Sequence, residues 1–434
     1  MWPGSRSWPG VTEPCRGDAL FCQPSAIEHT GALGLKSLPS VRRSDACEVP
    51  ANTIQCRMEN LLGTPQGRFS LQRLPKRPRE LLRAWDAADE YLLQHLAETA
   101  GLSDGHRVLI VNDAFGALAV ALHACHPLAL SDSCLAQAAT RLNLAENGLP
   151  EDGVRLSSSL ETPQGPFDWI LVKVPKTLAL FEDQLTRLRP QMTGSTRVIA
   201  AGMVRGLTPR VWELLERLAG PTTTSRARKK ARLIFADVDP KLKVPPSPYP
   251  VEYRLEGTDY LISNHANVFS RDSLDIGTRF FLQHLPIRSA ARDIVDLGCG
   301  NGVVGLIAAE KNRQAMIHFV DESYMAVDSA RQNFRNAFGT SRKASFRVAD
   351  GLSDSNHATC DLVLCNPPFH LHSAVGDQIA LRMFRQSHRA LRKSGELWVI
   401  GNRHLGYHVS LRRLFASVQL VASNKKFVVL RARR

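Results

Sequence analysis

The sequence predicts an α/β protein made of two tandem domains, each built on a doubly wound parallel sheet. Short apolar runs with strand character alternate with amphipathic helical patterns along most of the chain, and this alternation is typical of parallel strands joined by helical crossovers. The two halves also repeat one another. Residues 91–96 (YLLQHL) match residues 280–285 (FFLQHL), and each segment precedes a strand and a glycine-bearing turn. We therefore interpret the chain as a duplicated domain.

Length and composition agree with this interpretation. A chain of 434 residues is long for a single core, and 44% hydrophobic with 22% charged residues are ordinary values for a globular protein. The net charge of +14 favours a polyanionic partner, with solvated surface charge as the alternative. No apolar run approaches the roughly 20 residues of a membrane span, so no membrane association is predicted.

The cysteines predict a reduced compartment. The chain has nine of them, with no CxxC pair and no Cys/His cluster at zinc spacing. A cytoplasmic protein without a metal site follows from this pattern.

Residues 1–57 are predicted to be a disordered N-terminal extension. They are rich in Gly, Pro and Ser and have neither helical nor strand periodicity. One interpretation is that Met58 is the native start of the protein, and the other is a functional tail.

Residues 58–237 are predicted to form the first domain. A helical pattern runs from Pro78 through Leu96, and an apolar run typical of a buried strand follows. Strands are predicted at residues 107–111, up to 132, at 167–172 and at 197–201, with helices at 118–124 and 134–147.

A semi-rigid linker is predicted at residues 238–253, because its five prolines cannot continue a helix or a central strand. The second domain, residues 254–434, follows it. Its predicted strands lie at residues 293–297, 318–321, 345–349, 361–365 and 396–400.

The first domain lacks several polar groups that the second domain carries. By sequence matching, Asp132-Ser133 corresponds to Asp321-Glu322, and Lys173 stands in place of Asn366. Losing a carboxylate and a glycine at the turn, and gaining a lysine in place of Asn366, would impair cofactor and amine binding together, so we expect the first domain to be a scaffold or an RNA-holding copy. The same matching pairs Asn112, Ala114 and Gly116 with Asp296, Gly298 and Gly300.

A glycine-rich turn follows the first strand of the second domain. Gly298, Gly300 and Gly302 let the backbone turn tightly and approach a ligand before the next helix. Asp296 precedes the first of these glycines, where a carboxylate suits a cationic ligand better than a pyrophosphate. S-adenosylmethionine, which carries an ammonium and a sulfonium, is the predicted ligand. A purely structural turn is the alternative.

Two further carboxylates end the next two predicted strands. Asp321 follows the glycine turn by about twenty residues, where an acid can bind both ribose hydroxyls. It could also cap the following helix. Asp350 is predicted to contact the adenine amino group, although Asp350-Gly351 is also an ordinary turn.

The most specific motif is Asn366-Pro367-Pro368-Phe369, directly after a buried strand. The two prolines fix the backbone, so that the Asn366 side-chain oxygen and the Pro367 carbonyl can accept hydrogen bonds from one exocyclic amine. This arrangement promotes methyl transfer by positioning, and it also places Asn366 beside the cofactor. Phe369 offers a face for base stacking. A proline turn with a core phenylalanine is the alternative.

These motifs resemble the ribosomal RNA guanine-N2 methyltransferases that consist of two tandem Rossmann-like class I methyltransferase domains, the N-terminal one degenerate. Residues 264–269, 402–405 and 424–430 look most like the large-subunit (23S) family, RlmG, and residues 112–118 and 173–180 strengthen that similarity. The resemblance implies S-adenosylmethionine as donor and guanine N2 in protein-free or partly assembled 23S rRNA as acceptor.

Other functions stay open from the residues alone. An Asn-Pro-Pro-aromatic turn also serves small-subunit guanine-N2, adenine-N6 and glutamine-amide methyltransferases, and a catalytically inactive RNA-binding or ribosome-assembly protein is the alternative from another class. Arg226, Arg228, Lys229 and Lys230 are candidates for phosphate contacts, with a solvated charge run as the alternative. The pattern leaves the modified nucleotide and the oligomeric state open.

Overall fold

A computed structural model describes residues 60–77, 80–99, 102–103, 105–353, 357–368 and 374–434 of the chain. The predicted extension at residues 1–57 lies outside the described residues, as does Phe369.

The first half begins with a hairpin and continues as a series of strands and helices. Its elements are β1 (Leu61–Thr64), β2 (Gly67–Ser70), α1 (Ala87–Glu98), β3 (Val108–Val111), α2 (Ala117–Ala121), β4 (Leu128–Ser131), α3 (Cys134–Glu146), β5 (Arg155–Ser158), β6 (Trp169–Lys173), α4 (Leu178–Leu188), β7 (Arg197–Met203), α5 (Pro209–Leu218), β8 (Thr222–Thr224) and β9 (Ala231–Asp237). Short 3₁₀ helices lie at His123–Cys125, Glu151–Gly153, Arg189–Gln191 and Val204–Gly206.

The second half repeats this plan. Its elements are β10 (Val251–Arg254), β11 (Leu261–Asn264), α6 (Ile276–Gln283), β12 (Asp293–Leu297), α7 (Val303–Lys311), β13 (Met316–Asp321), α8 (Tyr324–Phe338), β14 (Ala344–Val348), β15 (Cys360–Cys365), α9 (Ala374–Ala390), β16 (Leu391–Asn402), α10 (Tyr407–Arg412), β17 (Ser417–Ser423) and β18 (Phe427–Arg433), with a 3₁₀ helix at Arg403–Leu405.

Two seven-stranded sheets share one strand order. The first sheet runs β5-β4-β3-β6-β7-β9-β8 and the second runs β14-β13-β12-β15-β16-β18-β17. In each sheet the first five strands are parallel and the last two join antiparallel. This identity of topology confirms the predicted α/β fold and the duplication.

Apolar residues cover both faces of the second sheet. Ile294 and Leu364 belong to the core on one face, whereas Val295 and Val363 belong to the core on the other. Burial on both faces explains why these parallel strands read as continuous apolar runs in the sequence. The polar residues of the site lie at the ends of these buried strands.

The predicted helix from Pro78 begins later than expected, at Ala87. Asp86 caps it, because its side chain accepts hydrogen bonds from the backbone of Ala88 and Asp89. Leu81, which the helical pattern had assigned to an apolar face, is 83% exposed. The capping residue, rather than the apolar spacing, sets the start of this helix.

The structure corrects the internal alignment at the glycine turn. Gly116 and Gly302 each precede the helix after the first strand, with φ of 80° and 81°. A Cβ on either would lie 2.7 Å from equivalent helix residues, Thr140 in α3 and Ala330 in α8. Gly116 therefore corresponds to Gly302 rather than to Gly300.

Two consequences follow from this two-residue shift. Asn112, with a φ of 65°, takes the place of Gly298. The position of Asp296 is occupied by the apolar Ile110. The first domain nevertheless keeps a carboxylate at the turn, because Asp113, which takes the place of Cys299, accepts a hydrogen bond from the backbone of Ala119, the counterpart of Gly305, at 3.0 Å. The predicted replacement of Asp296 by Asn112 was wrong.

The alignment after the second strand shifts by one residue. Ser133 and Ser323 are both helix N-caps, each accepting a hydrogen bond from the backbone three residues on. Asp132 therefore corresponds to Glu322, not to Asp321. The counterpart of Asp321 is Ser131, so the first domain has no acid at the end of its second strand.

Candidate active site

A cavity of about 480 Å³ opens at the carboxyl ends of the strands of the second sheet. It lies where the chain crosses from β12 to β13 on one side and from β14 to β15 on the other, the switch point at which α/β sheets bind ligands. Its size falls in the ordinary range for small-molecule sites. The lining includes Gly298, Gly300, Asp321, Asp350, Asn366, Pro367 and Pro368.

The glycine turn forms the floor of this cavity. Gly300 has a φ of 52°, and a Cβ built on it would meet nothing within 4 Å. Open space in front of a left-handed glycine lets a ligand approach the backbone closely. Gly302, in contrast, is required by packing, because its Cβ would lie 2.7 Å from Ala330.

Asp296 lies beneath the turn rather than in the cavity lining. It is 2% exposed, and its Oδ2 accepts a hydrogen bond from the Gly305 backbone at 2.7 Å. Burial raises the pKa of Asp296 to about 8, and the nearby Asp321 carboxylate adds to the shift. In this structure Asp296 holds the first turn of α7. Its predicted contact with a cationic ligand remains a prediction.

Asp321 joins the glycine turn to the start of α8. Its Oδ2 accepts a hydrogen bond from Gly300 at 3.0 Å, and its Oδ1 accepts one from Ser323 at 3.1 Å. Burial raises its pKa. Both sequence-based expectations are compatible with this geometry, because the carboxylate supports the helix start and also lines the cavity.

Glu322 also lines the cavity, although no role was predicted for it from the sequence. The residue is exposed, and the protein atoms around its carboxyl partly desolvate it and raise its pKa to about 7. The Asp321 and Asp132 carboxylates contribute to that shift.

Asp350 stands at the cavity wall beside α9. It forms an ion pair with Arg382, and its carbonyl accepts a hydrogen bond from Gln386 at 3.1 Å. The adenine contact predicted for Asp350 remains a prediction. Arg382 and Gln386 line the same cavity, and sequence reasoning missed them because a helix thirty residues away carries them.

The Asn366 amide has a fixed direction. Its Nδ2 donates to Thr278 Oγ1 at 3.0 Å, and the Thr278 hydroxyl donates onward to Asp275 Oδ2 at 3.2 Å. The Thr278 hydroxyl can therefore only accept from Asn366. Within the described residues, the Asn366 Oδ1 is buried and has no hydrogen-bond partner. A buried acceptor without a donor is costly, so this oxygen suits an incoming N–H group.

The first domain carries a different pair at the same place. Lys173, the counterpart of Asn366, binds Asp89 at 2.7 Å and Asp86 at 2.8 Å. These two acids correspond to Thr278 and Asp275. Burial lowers the pKa of Lys173, but the two carboxylates outweigh it and raise the pKa overall. An ammonium has no acceptor, so this copy cannot hold an amine as Asn366 can.

The remainder of the proline motif is partly described. Pro367 is buried and Pro368 is exposed, and both line the cavity. Phe369, for which we predict base stacking, lies outside the described residues. Across the described ranges, no group of three His, Cys, Asp or Glu side chains is placed to hold a metal ion.

The basic cluster at the β8–β9 hairpin is exposed but partly neutralised. Lys229 binds Glu90 at 2.6 Å, and Arg228 binds Glu98 at 3.6 Å. All four of its basic residues are exposed.

No helix within the described ranges is long and apolar enough to cross a bilayer.

The residues present fit S-adenosylmethionine. The open approach to Gly300 and the cavity-facing Asp321 suit the adenosyl and amino acid portions, and the acceptor of Asn366 lines the same cavity. The glycine turn, Asp321, Asp350 and the Asn366 motif thus lie together at one edge of the second sheet, whereas Asp296 lies behind the glycine turn.

Comparison with known proteins agrees with this site. Residues 59–240 match the model of the RLMG N-terminal domain, and residues 259–431 match that of the methyltransferase small domain. Ribosomal RNA large subunit methyltransferase G of Ectopseudomonas mendocina (strain ymp) is 54% identical over 370 residues, covering 85% of this chain and 98% of that protein. The protein of the same name from Streptomyces avermitilis is 53% identical, covering 86% and 99%.

A solved structure has the same fold. The T. thermophilus 16S rRNA N2 G1207 methyltransferase (RsmC), in complex with AdoMet and guanosine, superposes with a TM-score of 0.69 at 21% identity, covering 87% of this chain and 99% of that one. The two relatives confirm the family resemblance seen in the sequence, and the solved structure confirms the fold. The chain belongs to the ribosomal RNA large subunit methyltransferase G family and is an S-adenosylmethionine-dependent methyltransferase.

Proposed function

We propose that this protein methylates the exocyclic N2 amine of one guanine in 23S rRNA, in the cytoplasm, and that its substrate is protein-free or partly assembled rRNA. The observation that carries the proposal is the buried Asn366 Oδ1, which has no partner among the described residues and lines the same cavity as Asp321. The names of the relatives support a large-subunit substrate.

The donor would be held by the glycine turn and two carboxylates. In this proposal Gly298 and Gly300 allow its close approach, Asp321 accepts hydrogen bonds from the ribose hydroxyls, and Asp350 accepts one from the adenine amino group. Asp296 and Gly302 keep the turn in shape from behind. When bound, S-adenosylmethionine supplies a methyl group whose bond to sulfur breaks as its bond to nitrogen forms.

The acceptor amine would be held by Asn366 and Pro367. The Asn366 Oδ1 and the Pro367 carbonyl each accept one N–H of the amine, so that the nitrogen lone pair stays free to attack. The proton that the amine loses after methylation leaves to solvent. Such positioning is effective because it removes translational and rotational freedom from the reacting groups.

The target guanine must leave its stack to reach this cavity. An exocyclic amine inside a helix is inaccessible, so the base is unpaired or flipped out. Pro368 and Phe369, which follow Pro367 in the motif, would contact the base. In the first domain, residues 58–237, the exposed Arg226 and Lys230 would contact rRNA phosphates.

Methyl transfer to defined rRNA tests the proposal. Protein-free 23S and 16S rRNA are incubated separately with the full chain and methyl-labelled S-adenosylmethionine, and the RNA is digested to nucleosides. We expect N2-methylguanosine from 23S rRNA only. Methyladenosine, label in 16S rRNA, or label in protein would each overturn the assignment of substrate.

A further inference from the structure

The two domains contact each other through equivalent residues. The carbonyl of Asp132 accepts a hydrogen bond from the Tyr324 backbone, and the carbonyl of Glu322 accepts one from the Cys134 backbone, each at 3.0 Å. The side chains follow the same reciprocal rule, since Ser323 donates to Asp132 and Ser133 donates to Glu322. The first domain thus binds the start of α8, and the second domain binds the start of α3 in the same way.

Asp132 carries most of this contact. It is 4% exposed, and its carboxylate accepts hydrogen bonds from Ser323 Oγ at 2.5 Å, from the Met325 backbone at 2.9 Å and from Asn267 Nδ2 at 2.7 Å. The first two lie at the N-terminus of α8, where a negative charge also interacts favourably with the helix dipole.

These contacts fix two walls of the donor cavity. Asp321 and Glu322 line the cavity directly before the residues that Asp132 holds, and Phe269 lines it two residues after Asn267. The first domain also reaches the cavity itself, because Leu135, two residues after Ser133, is among the lining side chains. It is half-buried, and Ser133, two residues before it, donates a hydrogen bond to Glu322, which lines the same cavity.

We propose that the first domain completes the donor site of the second. Leu135 supplies part of the apolar wall against the adenosine portion of S-adenosylmethionine, and Asp132 is a positioning residue that holds the Asp321–Ser323 loop in place. This inference rests on the proposed function. It gives the degenerate copy a role in donor binding that is separate from holding RNA.

Leu135→Ala in the full chain tests the wall. We expect the dissociation constant of S-adenosylmethionine, measured by calorimetry, to rise about fivefold, the order expected when part of one leucine's apolar contact is lost. The dissociation constant of methylthioadenosine, which shares only the adenosine portion, rises by the same factor. Leu142→Ala is the matched control, because Leu142 is half-buried on the same helix and outside the cavity lining.

Asp132→Asn tests the positioning role. We expect the KM for S-adenosylmethionine to rise about tenfold, the order expected when a charged hydrogen-bond acceptor is lost, while kcat at saturating donor and the KM for rRNA stay unchanged. An unchanged KM for S-adenosylmethionine, or a fall in kcat that saturating donor does not restore, would overturn this role for Asp132. Leu135→Ala then tests the wall independently.

The outcomes separate the two proposals. If the wild-type chain fails to bind S-adenosylmethionine, the proposed function fails. If the wild type binds and Leu135→Ala binds equally well, or if Leu142→Ala weakens binding as much, the contribution of the first domain to the donor site is refuted.

Discussion

Asn366 Nδ2 donates a hydrogen bond to Thr278 Oγ1 at 3.0 Å, and this contact decides which atom of the amide faces the substrate. The Thr278 hydroxyl donates its own hydrogen bond to Asp275. The equivalent contact in the first domain joins Lys173 to Asp89 at 2.7 Å. The same position therefore holds an oriented hydrogen-bond acceptor, Asn366, in the second domain and an ion-paired lysine, Lys173, in the first.

Thr278→Val should lower kcat about tenfold without changing the affinity for S-adenosylmethionine. Valine keeps the shape of the side chain but removes the acceptor for Asn366 Nδ2, so that the amide can rotate and present its N–H groups to the amine. A roughly tenfold fall in kcat is the magnitude expected for the loss of one orienting contact. Single-turnover methylation of 23S rRNA measures the effect. Thr278→Ser, which keeps the hydroxyl, should restore most of the rate. Equal rates for the valine variant and the wild type would contradict the orienting role.

Asn366→Ala should abolish methyl transfer while sparing donor binding. It removes one of the two acceptors that hold the amine, and losses of about 10²–10³ in kcat are typical when a positioned hydrogen-bonding group is removed. Steady-state turnover and calorimetry with S-adenosylmethionine give the two readouts. Unchanged turnover would refute the role of Asn366 as the amine acceptor.

The sequence predicted most of the second sheet and the residues at its edge. The strand at Asp293–Leu297 agrees with its predicted bounds, because Ile294, Val295 and Leu297 are buried on the two faces of the sheet and give the segment its strand character. The turn glycines and Asn366 could be identified because backbone requirements and a short motif both act locally.

Contacts between distant residues could not be predicted in this way. Thr278 lies 88 residues before Asn366, and Asp132 lies 191 residues before Ser323. Neither pair has a spacing that sequence periodicity reports. The misalignment at Gly116 has a related cause. The sequence alone does not distinguish Gly300 from Gly302 as its counterpart, and only the packing of Gly116 against Thr140 identifies Gly302.

Asp321→Ala should weaken S-adenosylmethionine binding by about tenfold or more. The carboxylate is the acceptor proposed for the ribose hydroxyls, and hydrogen bonds to a charged group contribute roughly 1.5–3 kcal/mol. Calorimetry measures the dissociation constant, and thermal unfolding without donor reports the loss of the Gly300 and Ser323 contacts separately. A lower melting temperature with an unaltered dissociation constant would leave Asp321 as a structural cap only.

The donor-free protein should lose stability as pH rises from 6 to 8. The pKa of Asp296 is raised to about 8 by burial, so the folded chain keeps a proton that the unfolded chain releases above about pH 4. The folded state then binds more protons than the unfolded state, and the free energy of unfolding falls with pH until the folded pKa is reached.

Asp296→Asn isolates this contribution, because the amide cannot titrate but can still accept the hydrogen bond from Gly305. Between pH 6 and 8, urea unfolding of the wild type should show a loss about 2 kcal/mol larger than that of the variant. Asp259→Asn removes a fully exposed carboxyl and serves as the control, with the wild-type pH dependence expected. If Asp296→Asn keeps the wild-type pH dependence, Asp296 is ionised in the folded protein, and the raised pKa is refuted.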